Sequence, residues 1–179
     1  MPDGPTYHWF PISIDPIDSA NRQNDRLHVA IEWPLGSHPH IGRCVDVWLP
    51  SLAPSRGLWE WFLAAPDRWY EFVRQYHLEL DHQAKDCEHL RHLACVHPLT
   101  FVFTAGTVDQ NAAIALRQHL QHLECRRRYA AGWIVGGLTY PVRPQIEQLG
   151  GLWYGKHKVW TMPSAEACKA IRSLLPGDF

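Results

Sequence analysis

One short segment narrows the fold more than any other. Leu99–Phe103 reads LTFVF between Pro98 and a polar turn, and Asn111 then opens a helix. A short apolar run bounded by turn residues is a strand of the buried kind, which parallel sheets use. The following helix carries Ala113, Leu116, Leu120 and Leu123 as one stripe. Upstream, Leu27 to Trp33 alternates, with Leu27, Val29 and Ile31 facing one way and His28, Ala30 and Glu32 the other. Pro34 and Gly36 stop that strand, and His38 to Cys44 reads as a loop. Between the two strands the spacing predicts helices. One covers Leu58 to Ala64, with Ser55 as N-cap. A second follows Pro66, with Trp69, Phe72, Val73, Tyr76 and Leu80 on one face. A third covers about Lys85 to Cys95. Strand, helices, strand, helix implies an α/β fold: a small layered, parallel-type sheet with helices and a right-handed connection. Residues 1–26, rich in Pro, Asp, Asn and Ser, read as extended, with a short edge strand near Trp9 to Ile14.

Charge divides the 179 residues unevenly. Residues 1–125 carry 9 Lys/Arg against 15 Asp/Glu, and residues 126–179 carry 8 against 3. Such a split suggests two parts with different partners, or two parts that attract each other. Arg126 to Tyr129 reads as a basic hinge between a domain at 1–125 and a module at 126–179. Beyond the hinge, Gly132 to Tyr140 is a Gly-punctuated strand, Pro144 to Leu149 a helical turn, and Leu152 to Met162 a hairpin turning at Gly155. Ser164 caps a last helix, Ala165 to Leu175, with Pro176 after it. The tail is thus a small α+β module. No apolar run approaches the roughly 20 residues that span a bilayer. The first residues, MPDGPTYHWF, lack a basic region followed by an apolar one. The five cysteines are scattered, with no C-x-x-C pair. The expectation is a cytoplasmic protein with no membrane partner and no disulfide framework.

Three stretches carry a family resemblance: WPLG from Trp33, WLPSLAPSRGLWEWF from Trp48, and APDRWYEFVRQYHLEL from Ala65. With LTFVFTAGTVDQNAAIALRQHL (Leu99 to Leu120), they resemble the YeaO-like proteins, domain of unknown function 488, over about residues 27–123. The resemblance implies a strand, an acidic turn, an Asn and a helix in the last stretch. In relatives the first strand usually ends in Val-Asp-Arg-x-Trp-Pro-Arg-Gly, whose Asp and two Arg suit an anion. Here the Asp position holds Ala30 and the Arg positions hold Ile31 and Leu35, while Trp33, Pro34 and Gly36 stay. Where relatives show His-Asn-His-Ala, this chain has Gln110-Asn111-Ala112-Ala113. The backbone-shaping residues remain and the ionic ones are replaced. A rebuilt pocket at the strand C-termini would draw on Glu32, Ser55, Tyr76, Glu79 and Asn111. The plainer roles are a cap for Ser55 and helix packing or a solvated face for Tyr76 and Glu79.

The tail has a resemblance of its own, on Tyr140, Leu149, Gly150, Gly151, Trp153, Lys158, Trp160 and Pro163. It resembles short Leu-Gly-(Gly/Ala)-x-Trp…Lys-x-Trp-x-x-Pro modules of bacterial, phage and conjugative-plasmid proteins, often set beside primase, helicase or topoisomerase-type domains. Those modules usually carry an acidic turn after the first Trp, where this chain has Tyr154-Gly155. Two readings of the aromatics stand side by side. In one, Trp153 and Trp160 are both core, since small modules depend on aromatic burial. In the other, a Trp or Tyr140 stacks on a base while Arg126, Arg127, Arg128, Arg143, Lys156 and Lys158 meet phosphates.

Histidines and cysteines recur at His82, Cys87, His89, His92, Cys95 and His97, and again at His119, His122 and Cys125. Helical i, i+3 spacing suits zinc, yet neither set matches a finger or knuckle spacing, and a helical His is commonly a polar face. No metal and no cofactor is expected. The sequence therefore points to a non-catalytic binding or accessory protein. Its partner would be single-stranded nucleic acid, or a protein of a mobile-element or defence system. A small enzyme acting on a nucleotide-like or other anionic molecule is the alternative. A protein-interaction reading needs an exposed aromatic patch, with Trp9–Phe10 and Trp59 as candidates.

Overall fold

A computed structural model describes residues 9–17, 25–31 and 45–175. The chain forms two compact units, Phe10–Leu120 and one built from Gln121 onward. In the first, β1 (Ser13–Pro16), β2 (Leu27–Ala30), β3 (Val47–Trp48) and β4 (Leu99–Phe103) make a sheet in the order β1-β4-β2-β3, with every pairing parallel. The apolar run thus becomes a central strand, and all of its residues are buried. Helices α1 (Arg56–Ala64), α2 (Trp69–His82), α3 (Ala84–Leu93) and α4 (Ala112–Ala130) follow the expected order. The fold is α/β, as the pattern implies, with a small antiparallel sheet in the C-terminal unit.

Local chemistry sets these boundaries. Ser55 caps α1, its hydroxyl accepting from Leu58 N at 3.4 Å. Pro66 opens a 3-10 turn at Pro66–Arg68 that leads into α2, where its missing N–H costs nothing. Phe72, Tyr76 and Leu80 of α2 are buried, and Phe62, Phe72 and Tyr76 stack in series at 4.6 and 5.7 Å. After β4 the chain reverses at Gly106, whose φ of +98° suits only glycine; an added Cβ would stand 2.6 Å from the Gln110 carbonyl. Asn111 then caps α4: its Oδ1 accepts from Ile114 N at 3.0 Å, and its Nδ2 donates to the Thr107 carbonyl at 2.8 Å.

The C-terminal unit holds β5 (Ile134–Val135), α5 (Arg143–Gln148), β6 (Leu152–Tyr154), β7 (Val159–Thr161) and α6 (Ala165–Arg172). Its sheet runs β5-β7-β6, antiparallel throughout. Val135, Val142, Ile146, Trp160, Met162, Cys168 and Ile171 form its core. Gly150, at φ +77°, ends α5, and Gly151 N reaches back to the Ile146 carbonyl at 2.8 Å, the tight helix-to-strand turn that this dipeptide permits. The hairpin turns over Gly155–Lys158, and Ser164 caps α6 through Ala167 N.

Three expectations change. Arg126 to Tyr129 is not a hinge but the last part of α4. The apolar stripe fades after Leu123 because the helix continues on ionic pairing, Glu124 with Arg128 at i, i+4. The Gly132–Tyr140 strand contracts to Ile134–Val135, since Gly137 sits at φ +85° and Tyr140–Val142 is a 3-10 turn. The N-terminal edge strand lies at Ser13–Pro16 rather than Trp9 to Ile14. Glu32, Trp33, Pro34, Leu35, Gly36 and the His38–Cys44 loop lie outside the described residues.

Candidate functional site

The hairpin sets Trp153 directly opposite Trp160, so their side chains share one sheet face. The rings meet edge to face, with centroids 5.5 Å apart. Trp160 is buried in the core, whereas Trp153 is 51% exposed and Tyr140 86%. Thr139, Tyr140, Arg143, Trp153 and Trp160 line one recess of about 340 Å³. The Arg143 guanidinium lies 6.0 Å from the Trp160 ring centroid, and its Nε donates to Glu147 at 2.8 Å. One member of the aromatic set is therefore core, and two remain at the surface beside a cation. Thr139 is the lining residue that the sequence reading did not name.

The run Arg126, Arg127, Arg128 does not act as one patch. On a helix, successive residues turn by about 100°, so the three point apart. Arg128 is fully buried; its Nε donates to Glu124 at 2.7 Å, and its Nη1 reaches the carbonyls of Gly150 at 2.8 Å and Thr161 at 3.2 Å. It ties α4 to β7 and to the end of α5. Arg127 also binds Glu124, at 2.7 and 3.1 Å, and lies 5.1 Å from the Trp133 ring centroid. The expectation that Arg128 meets a phosphate is corrected: a helical register, not a hinge, turns it into the fold, while Arg127 stays half-buried. Arg126, Lys156 and Lys158 are exposed.

The candidate pocket of the sheet unit is also divided. Ser55, Tyr76 and Glu79 line one recess of about 320 Å³, with Ser51 and His82. Their polar atoms are engaged within it. Ser55 Oγ donates to Glu79 Oε1 at 2.5 Å, and Ser55 N to Glu79 Oε2 at 2.8 Å. The Tyr76 hydroxyl donates to the Leu52 carbonyl, and Ser51 Oγ to Asp86 at 2.6 Å. Asn111 is not among them; it is fully buried as the cap of α4. Glu32 lies outside the described residues. A second, larger recess of about 820 Å³ lies where β4 gives way to Thr104 and Ala105. Its walls include Trp59, Leu63, Ala105 and Ala112, and its ions, Arg56 and Glu60, bind each other at 2.7 Å. Ala30, where the resemblance sets an aspartate, is 1% exposed and packs with Ile17 and Val102.

These features coincide with a match to a protein family. The profile described as "Inactive DUF488-N3 subclade" (DUF488-N3i) matches residues 13–131. The chain belongs to this subclade. The family domain thus covers the parallel sheet and α4 and ends before the hairpin. The chain is also 34% identical over 107 residues to an uncharacterised protein of Mycobacterium bovis, Mb3100c. It matches two uncharacterised proteins of Mycobacterium tuberculosis, MT3158 and Rv3073c, to the same extent. Each alignment covers 60% of this chain and 85% of the relative. No solved structure matches the chain at a significant level.

In this DUF488-N3i chain the histidines and cysteines serve packing and hydrogen bonding. Among the described residues no group of three or more His, Cys, Asp or Glu is arranged to hold a metal ion. The Cys87 thiol is pushed up to about 12, first by burial and then by Asp86 and Asp81, and it donates to the Leu80 carbonyl at 3.6 Å. His119 lies beside His77, with ring centroids 5.1 Å apart, while His122 meets Tyr154 edge-on at 5.5 Å. Trp9 is buried, so it offers no aromatic patch, and Trp59 is half-buried against Phe72 at 5.6 Å. No described helix is long and apolar enough to cross a membrane.

Proposed function

We propose that this protein is a non-catalytic binding protein that takes single-stranded nucleic acid on its C-terminal module. The observation that carries the reading is the recess in which Tyr140 and Trp153 stand exposed beside Arg143. Aromatic faces next to cations hold unpaired bases with little regard to sequence, at about 1–3 kcal/mol per stacked base. An aromatic box of this kind also suits a cationic ligand. Here Arg143 already stands over Trp160, so a planar, uncharged ring with an anionic backbone is the better fit. Two observations support the absence of chemistry. The subclade carries the description inactive, and the sheet's C-terminal end presents Ala30 within an apolar cluster. The tail's resemblance favours an accessory role beside DNA-processing enzymes of a mobile element or defence system.

A fluorescence polarisation titration of the full chain tests this, using single- and double-stranded DNA and RNA at low salt. The expected result is single-strand binding that weakens as salt rises. Trp153→Ala is expected to weaken it by about tenfold or more. A wild-type protein that binds no nucleic acid at low salt, or a Trp153→Ala variant that binds equally well, overturns the reading.

A further inference from the structure

We infer that the hairpin tip carries a second stacking platform, Tyr129 with His157, so that a single strand crosses the turn and is held on both faces of the hairpin. The inference rests on reading the recess as a nucleic-acid site. Adjacent residues of a strand point to opposite faces. Trp153 faces the recess, and Tyr154 faces α4. Tyr154 is 5% exposed and meets Tyr129 edge-on at 5.7 Å. On that face His157 lies nearly parallel to Tyr129, with centroids 4.2 Å apart and planes 18° apart. Both residues are exposed, Tyr129 by 37%. The turn begins beside the recess, with the Trp153 indole next to Gly155, and His157 lies two residues further on.

Charge follows the same path. Lys156 and Lys158 sit in the turn, and Arg126 lies one helical turn before Tyr129 on α4. None of the three has an ion-pair partner among the described residues, whereas Arg127 and Arg128 pair with Glu124 and Arg143 with Glu147. Lys158 also holds a left-handed conformation, φ 53°, the one described residue other than glycine to do so. A charged side chain at a position that backbone sterics give to glycine marks the turn as a functional candidate. With one base in the recess and a second against Tyr129–His157, the intervening phosphates pass Lys156 and Lys158. A duplex keeps its bases stacked inside and cannot present them to two opposite faces, so the arrangement selects single strands.

The test is a length series on the full chain, with labelled oligothymidylates of one, two, four, six and eight nucleotides. Affinity is expected to climb by roughly tenfold or more between the dinucleotide and the octanucleotide, as a second base stacks. Tyr129→Ala should remove that gain, so that its octanucleotide affinity falls to about its own dinucleotide affinity. Because Tyr129 packs on Tyr154, a second variant is needed that leaves packing alone. Lys156→Gln with Lys158→Gln should reduce the slope of log K against log salt by about 1.4, at about 0.7 per phosphate contact on a single strand. Octanucleotide binding that requires Trp153 but shows no length gain, or keeps its salt slope in the double variant, overturns the second platform and leaves the recess standing. Failure of every oligonucleotide to bind the wild type overturns both.

Discussion

The two units differ in how deeply they bury their ion pairs. In the sheet unit, the polar pairs Ser55–Glu79, Arg56–Glu60 and Ser51–Asp86 lie at exposed positions and close on themselves. At the end of β2, Ala30 packs beside Ile17 and Val102. The C-terminal unit has such an exposed pair in Arg143–Glu147, but it also buries a whole pair. Glu124 and Arg128 pair in the interior, both almost fully buried, while Arg126, Lys156 and Lys158 stand at the surface. An end of a parallel sheet is where α/β folds gather ligand groups. Here the Ala30 position is filled with packing, though a recess of about 820 Å³ remains beside Thr104 and Ala105, while the small module buries one ion pair and leaves other cations at its surface.

Breaking the buried pair is the largest test of this contrast. Glu124→Leu leaves the Arg128 guanidinium in the interior without its carboxylate, and we expect a loss of about 3–5 kcal/mol in urea unfolding. Adding Arg128→Met to the same chain should recover part of it, since an apolar pair leaves no buried charge, while the Gly150 and Thr161 carbonyls lose the Arg128 donor. The pair also sets an acid limb. Burial alone raises the Glu124 carboxyl, but hydrogen bonds from Arg127 and Arg128, with their charges, outweigh it and hold the group below the usual carboxylate range. A carboxyl depressed by folding contributes stability above its unfolded value, and this is lost as the pH falls through the folded one. Wild-type stability should therefore decline on acidification below about pH 4.3, and Glu124→Leu should show a shallower decline. A Glu124→Leu protein as stable as the wild type would remove the buried pair from the account.

The converse change sharpens the comparison from the other side. Ala30→Asp returns to the sheet end the carboxylate that the family pattern implies. In this chain the position is 1% exposed and its neighbours Ile17 and Val102 are apolar. An aspartate there has to ionise without a partner or bury a neutral carboxyl, at a cost of about 3 kcal/mol. Urea unfolding measures it. A variant that is stable and binds phosphate would mean that the anion site persists and only its charge was exchanged.

Much of the sheet unit was legible because its signals are local. The apolar run at Leu99–Phe103, Ser55 at a helix start and the face Trp69, Phe72, Tyr76, Leu80 each need only a window of residues. The C-terminal hairpin was legible for the same reason, through Gly150-Gly151 and the pairing of Trp153 with Trp160. What escaped depends on partners distant in the chain. The Arg126–Arg128 run looks like a surface patch until Glu124, Gly150 and Thr161 are seen to claim Arg128. Asn111 looks like a pocket residue until Thr107 and Ile114 are seen to engage both ends of its amide. His157 gave no signal at all, since its partner Tyr129 lies on a helix that the basic run disguised.

The smallest effect separates stability from recognition at one residue. Lys158 sits at φ 53°, where a Cβ crowds the carbonyl and costs about 1 kcal/mol. Glycine carries no such cost. Lys158→Gly should therefore stabilise the protein by up to about 1 kcal/mol, or about 2–4 °C in Tm for a chain of this size. If the turn served the fold alone, nothing else would change. If the turn meets a phosphate, the same substitution should also lower single-strand affinity and reduce its salt dependence. A more stable protein that binds less well would show that the backbone strain is held in exchange for the charge. A more stable protein with unaltered binding would return Lys158 to the solvated surface and confine recognition to the recess.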